Sequence, residues 1–402
     1  MSSVSSLATL PALGANRPLR VLFVSSTTEG GSGRSQRELN ELLTDAGVDT
    51  MMLVDNEQGS MFGRFVHEHL WDASVKFRNT PVLGESAAWL RTLPGRRASS
   101  LNPSEDGTKV LLSPAPENAL PDIAVTFRPD IVVGSSISRT TWRSIQATCE
   151  TLHIPTALYM REAVAVGHLK PVKGHPFRRD DLLLANSQTL VTAAERVGAR
   201  AHFVPSAVDL APAAVESTRE RILLINPRRE HGVELVEVLA KHFRTIEFVL
   251  QESWNLTAAE QNHVDMILAR HQNVIFRKRT DDRREVYRDA AIVLAPHQMD
   301  NRPRSILEAL SNGIPVVASN LPGLRESVGP GGTIASTTGD WISAVDRLWK
   351  DSSYYLQVQH KAVSFANRAE VQPEHIVASF LTHVHEAIQR RRNRWMINLT
   401  TP

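Results

Sequence analysis

The sequence contains a single cysteine, Cys149. One thiol excludes an internal disulfide and any CxxC redox or zinc arrangement, and its expected place is a buried core position. Long apolar runs are missing too, since no stretch approaches the ~18 residues that a membrane-spanning helix needs. The first seventeen residues are rich in Ser, Ala and Leu but do not open with a basic n-region. These absences lead to the expectation of a cytoplasmic soluble protein, in which the sequons at Asn255 and Asn398 carry no meaning. An excess of one charge is also absent. Against 45 basic side chains stand 43 acidic ones, so charge alone makes no case for nucleic acid or a membrane. No Asp-x-Asp occurs, and His67 with His69 and His383 with His385 are spaced to point to different helix faces. No metal site is expected.

What is present begins with patches of basic residues at 168–179, 276–279 and 389–394. They read as solvated surface or as contacts to anions or lipid, leaving possible peripheral membrane contact open. The tryptophans are scattered without repeat and read as core or cleft walls.

With 402 residues the chain exceeds the ~250–300 at which one core stops growing, so two domains are expected. LRVLFVSS at 19–26 is a near-continuous apolar run, the mark of a strand buried on both faces of a parallel sheet. A loop with Gly30, Gly31 and Gly33 follows, then a helix from about Ser35 to Asp45 closed by Gly47, then the strand DTMMLVD. This β-loop-α-β unit places glycine amides where a ligand anion would meet a helix dipole. Residues 57–125 resist reading, and a flexible loop is expected around 96–107. Apolar strands return at 129–136, 154–160 and 181–187.

A second series follows the Ala- and Pro-rich segment 207–219, read as a linker. Strands are expected at 221–227, 246–251, 273–278 and 291–296 and at PVVAS, with helices at 232–243 and in DDRREVYRDA. The expected division is a first Rossmann-like domain at 1–206, acceptor side, a second at 220–372 that binds the nucleotide sugar, and a C-terminal helix and tail at 373–402 packing toward the first. The fold class is α/β: two doubly wound Rossmann-like domains facing across a cleft.

The densest chemistry lies in HQMDNRPRSILEALSNGIPVVASN, residues 297–320. A helix is expected to begin near Pro303, where a missing amide loses nothing, and to end at Asn312 and Gly313. Its first-turn amides and Arg304 suit phosphate, while Asp300 and Glu308 suit sugar hydroxyls. Spacing alone leaves the alternative that Asp300 caps the turn and Glu308 pairs with Arg304 at i, i+4.

DNRPRSILEALSNGIPVVASNLPGLRESVGPGG resembles the signature of the retaining glycosyltransferases of the GT-B fold, the family that includes sucrose synthases and bacterial mannosyltransferases. In that signature an acid and a glutamate stand eight positions apart before G-x-P-V-V-A-S, a glycine turn and a further glutamate. Asp300 and Glu308 match the two acids, Gly313 to Ser319 the strand, and Gly323 and Glu326 the trailing part. YRDAAIVLAP, LLLANSQTLV, VPSAVD and the loop at 30–33 extend the similarity over most of the chain except 57–125.

The resemblance implies a metal-independent transferase that moves a hexosyl-type sugar from a nucleotide-diphosphate donor, with no separate cofactor. Glu308 would bind the donor's ribose, Asp300 the transferring sugar, and Gly30, Gly31 and Gly33 would give amides from the opposite domain. Fixed donors around the departing diphosphate stabilise the charge that develops on it. Three departures stand out. Asp300 replaces the usual glutamate. Asn301, Arg302 and Pro303 replace glycine-aromatic-glycine. In NPRREHG the diphosphate-gripping lysine is replaced by His231, with Arg228 or Arg229 in place of the arginine. Arg161 and Glu162 follow a strand end where the family often has a polar pair facing the cleft; a structural salt bridge is the alternative. Partners are therefore a nucleotide-sugar donor and an unknown acceptor (small molecule, glycan or lipid-linked glycan), with no nucleic acid. The alternatives are a non-catalytic nucleotide- or glycan-binding partner subunit and a nucleotide-sugar epimerase.

Overall fold

The structure, a computed structural model, describes residues 17–26, 30–55, 99–103, 109–113, 116–169 and 181–400. It divides into two compact units, the first Met1–Asn186, Leu190–Ser206 and Pro373–Pro402, the second Ser187–Thr189 and Ala207–Gln372.

In the first unit the strands are β1 (Arg20–Ser25), β2 (Asp49–Asp55), β3 (Ser99–Pro103), β4 (Lys109–Ser113), β5 (Ile131–Ser135), β6 (Thr156–Met160), β7 (Leu182–Ala185) and β8 (His202–Phe203). They form one sheet in the order β3-β4-β2-β1-β5-β6-β7-β8, parallel except for β3 against β4. The helices are α1 (Gly30–Asp45), α2 (Pro116–Thr126), α3 (Arg139–Thr151) and α4 (Gln188–Glu195), whose first two residues fall in the second unit. Val21 to Val24 are wholly buried, as an apolar run sandwiched between helices must be. Cys149 sits in the same core as Leu22, Val132 and Trp142. The helix Pro373–Thr400 packs here, with Phe380 against Phe23 at 5.9 Å between ring centroids.

Part of the basic 389–394 run is paired within this unit, Arg391 to Glu150 at 2.8 Å and Arg394 to Asp181 at 3.8 Å. Those charges serve the docking of the C-terminal helix. Among the described residues no helix is long and apolar enough to cross a membrane.

In the second unit the strands are β9 (Arg221–Ile225), β10 (Glu247–Gln251), β11 (Val274–Arg277), β12 (Ala290–Ala295), β13 (Val316–Ser319) and β14 (Gly332–Ala335). All pairs are parallel, in the order β11-β10-β9-β12-β13-β14. Its helices are α5 (Val233–His242), α6 (Ala258–Arg270), α7 (Arg283–Tyr287), α8 (Arg304–Ser311), α9 (Pro322–Val328), α10 (Thr338–Lys350) and α11 (Ser352–Ala366). Ile222 and Leu224 enter one apolar cluster while Leu223 between them enters another. Alternation thus fills both faces, and the sequence shows an unbroken apolar run.

The first strand of each unit has crossover neighbours on both sides, so the order turns between β1 and β5 in the first unit and between β9 and β12 in the second. In open α/β sheets ligands bind beyond the carboxyl ends of the strands at that point.

Two expectations are corrected. The loop at 96–107 contains β3, because pairing along the β4 edge orders a segment with no strand pattern of its own. The glycine segment is not a loop leading to Ser35: α1 already begins at Gly30, with Gly30 in the left-handed region at φ 69°. Residues 56–98, most of the expected acceptor region, lie outside the described residues.

Candidate functional site

At the reversal point of the second unit, β9 ends in Asn226, which adopts φ 61°. A short turn, Arg229–His231, leads through Gly232 into α5. Gly232 has φ 73°, and a Cβ there would lie 2.2 Å from the carbonyl oxygen of Pro296, just past β12. Only glycine lets this turn rest on the end of β12. The contact, with Gln298 N–H donating to the Glu230 carbonyl at 2.9 Å, lays the His231 ring on that of His297. Their centroids are 4.5 Å apart and their planes 16° from parallel. Trp254, beyond β10, turns an edge to His231 at 6.1 Å.

His231 Nδ1 lies 3.0 Å from the Asn226 carbonyl. A carbonyl only accepts, so Nδ1 carries the hydrogen and Nε2 the lone pair. Burial lowers the His231 pKa, and it takes His297 down to about 4, helped by the neighbouring His231. At neutral pH both rings are uncharged. His231 is therefore no standing substitute for a lysine.

The arginines expected at this edge are engaged with acids. Arg228 lies 3.4 Å from Glu260 and 3.8 Å from Glu230, with its guanidinium 5.3 Å from the centre of the Trp254 ring. Arg229 is 79% exposed at its side chain and pairs with Glu234 at 3.0 Å. Its guanidinium faces solvent.

The Asp300–Glu308 motif spans the end of β12 and the start of α8. Pro303 is the residue before α8, with φ −65° and ψ 130°, one position earlier than a first helical turn. Asp300 accepts a hydrogen bond from the Gly323 amide at 2.7 Å, in the first turn of α9. A Cβ on Gly323 would meet Asp300 Oδ1 at 2.8 Å and the Asn301 carbonyl at 2.9 Å. The trailing glycine of the signature is thus what allows the Asp300 loop to approach α9. Arg302 pairs with Glu326 at 3.3 Å.

Glu308 is 5% exposed. Its Oε1 accepts from Arg283 at 2.9 Å and Arg304 at 3.1 Å, and its Oε2 from the Tyr287 hydroxyl at 2.7 Å. Tyr287 is itself buried, and its pKa stands well above the phenolic value through desolvation and the adjoining carboxylate. The i, i+4 pair is therefore formed, reinforced by a second arginine and a phenol. The carboxylate thus has three partners within the chain, and a ribose hydroxyl would have to displace one.

In the first unit the reversal point gathers serines. Ser32 and Ser136 hydroxyls are 2.5 Å apart, and Ser26 donates to the Ser136 carbonyl. The first turn of α1 brings Gly30, Gly31 and Gly33 to this edge, where a helix's first amides have no partner inside the helix. Arg161, beyond β6, is 6% exposed and donates to Gln36 at 3.2 Å, its guanidinium 4.4 Å from the centre of the Tyr159 ring. Among the described residues no group of three His, Cys, Asp or Glu is arranged to hold a metal.

The architecture is that of the GT-B fold. Residues 229–351 match the family described as Glycosyl transferases group 1, which upholds the resemblance read from the motif. Similar solved structures span nearly the whole chain at low identity. The HepE protein of Anabaena with UDP and glucose is 13% identical, covers 90% of this chain and 98% of its own, and has a TM-score of 0.65. Sucrose-phosphate synthase of Thermosynechococcus elongatus is 12% identical, with coverage of 96% and 100% and a TM-score of 0.64. The catalytic domain of starch synthase IV of Arabidopsis thaliana, bound to ADP and acarbose, is 11% identical, with coverage of 94% and 99% and a TM-score of 0.62. No curated protein matches.

Proposed function

We propose that this protein is a retaining, metal-independent glycosyltransferase that moves a sugar from a nucleotide-diphosphate donor to an acceptor, in the cytoplasm. The carrying observation is the group 1 match over 229–351, which holds the Asp300–Glu308 motif and the turn with His231. Neighbours of the same fold carry UDP with glucose, and ADP, which supports a nucleoside diphosphate as the leaving group. In this reading Asp300 meets the transferring sugar, Arg304 and the Arg228–His231 turn meet the diphosphate, and Glu308 meets the ribose after exchanging one of its partners. The α1 amides at Gly30, Gly31 and Gly33 serve as anion donors, and Arg161 holds the carboxyl end of β6.

A second reading, a non-catalytic nucleotide-binding partner subunit, draws on two observations: Glu308 already has three partners and His231 is uncharged. A donor panel of UDP-glucose, ADP-glucose and GDP-mannose, incubated with EDTA and candidate acceptors, separates the readings. Acceptor-dependent release of nucleoside diphosphate with retention at the anomeric carbon is the expected result. Binding without release favours the partner subunit. Sugar conversion without an acceptor identifies an epimerase.

A further inference from the structure

We infer that the stacked His231–His297 pair is the cation of the donor site, and that it becomes one only as the donor's diphosphate arrives, by taking up a single proton shared between the two rings. This rests on the glycosyltransferase reading and explains how a site with a histidine in the lysine position holds phosphate.

Three observations carry it. The pair lies at the strand-order reversal of the second sheet, one ring after β9 and the other after β12, where an α/β sheet receives its ligand. The arginines on the same turn are already matched, Arg228 by Glu260 and Glu230 and Arg229 by Glu234. Lastly, Asn226 is 4% exposed, and neither its side-chain oxygen nor its nitrogen has a partner. A buried amide in that state is completed by a water, an ion or a ligand.

The groups around the pair set the direction of the effect. Glu230 on the same turn and Glu260 from α6 favour a charged His231, while Arg228 opposes it. His297 is faced by His231 and hydrogen-bonded at Nδ1 to Asn301 at 3.1 Å. Without donor, desolvation keeps both rings neutral. A diphosphate esterified at both ends keeps its two negative charges throughout the neutral range and raises the pKa of a ring beside it. Two imidazolium rings 4.5 Å apart would repel, so the pair takes one proton and titrates as a unit. Binding with proton uptake is tighter at lower pH, by up to about tenfold per pH unit for one proton.

The test is isothermal titration of the full chain with UDP-glucose, ADP-glucose and GDP-mannose from pH 5.5 to 8, in buffers of different ionisation enthalpy. We expect affinity for the accepted donor to rise as pH falls, with up to one proton taken up. The matching nucleoside alone should show neither effect. The double variant His231→Gln with His297→Gln should remove the uptake and flatten the pH profile. His231→Lys should bind more tightly at pH 8 with no uptake. A donor that binds with pH-independent affinity and no uptake overturns the role of the pair while leaving the transferase reading intact. Failure of every donor to bind at any pH overturns both.

Discussion

Two buried polar clusters occupy neighbouring positions in the second unit and are built in opposite ways. Around Glu308 a carboxylate, two guanidiniums and a phenol satisfy one another. Around His231 and His297 two neutral rings stack beside an amide with no partner. The first gives its carboxylate three partners within the chain and braces α7 against α8. The second is held in place by Gly232 and remains unsatisfied. A motif glutamate can thus brace the fold while a histidine outside the acid pair lies at the point where the fold receives ligands.

The contrast is broken most severely by Glu308→Ala, which leaves two arginines buried without their acid. Losing one partner of a buried ion pair costs about 3–5 kcal/mol, where replacing the whole set by apolar groups is often neutral. Urea unfolding should show a second-unit transition displaced by that amount, whether or not donor affinity changes. A displacement below ~1 kcal/mol would mean that Glu308 is not braced as described.

The histidine cluster should respond to acid instead. His297 is held near 4 when folded and rises to ~6.5 when unfolded, so the unfolded state binds more protons between those values. Stability therefore stays intact above pH ~6.5 and declines as pH falls toward 4, by roughly 3 kcal/mol for this residue. Donor-free protein carrying His297→Gln should lose that part of the acid sensitivity. Equal acid midpoints for the two proteins would place His297 in water.

How much of this could be read from the sequence depends on how local the signal is. β2 and the end of α1 were legible because unbroken apolar runs and a leucine repeat answer to burial on a sheet. The starts of helices α6 and α10 are signalled by the capping boxes Thr257-x-x-Glu260 and Thr337-x-x-Asp340. The partnership of His297 with His231 has no local signal in the sequence, because the pairing of β9 with β12 is what brings the two rings together. The Glu308–Arg304 pair was visible from its i, i+4 spacing, whereas Arg283 and Tyr287 come from α7 and depend on how it packs.

Tyr287→Phe probes the Glu308 cluster more gently, removing one hydroxyl that donates at 2.7 Å to a buried carboxylate. A hydrogen bond to a charged group contributes about 1.5–3 kcal/mol, and the phenylalanine keeps the ring packing. A loss in that range, without change in the acid sensitivity assigned to His297, would confirm that the two clusters are independent. A coupled shift in both would join them into one network.

The smallest stability effect and the sharpest functional one are expected from Asp300→Asn. Asparagine retains an oxygen able to accept the Gly323 amide hydrogen, so the loop can keep its approach to α9 and stability should change by less than ~0.5 kcal/mol. What it loses is the negative charge. If Asp300 binds the transferring sugar through charged hydrogen bonds strengthened in the transition state, turnover should fall by about tenfold to a hundredfold, as the loss of ~1.5–3 kcal/mol implies, while nucleoside diphosphate affinity stays fixed. If its carboxylate acts only as a cap for α9, turnover and stability will both be preserved, and Asp300 will join Glu308 on the structural side of the comparison.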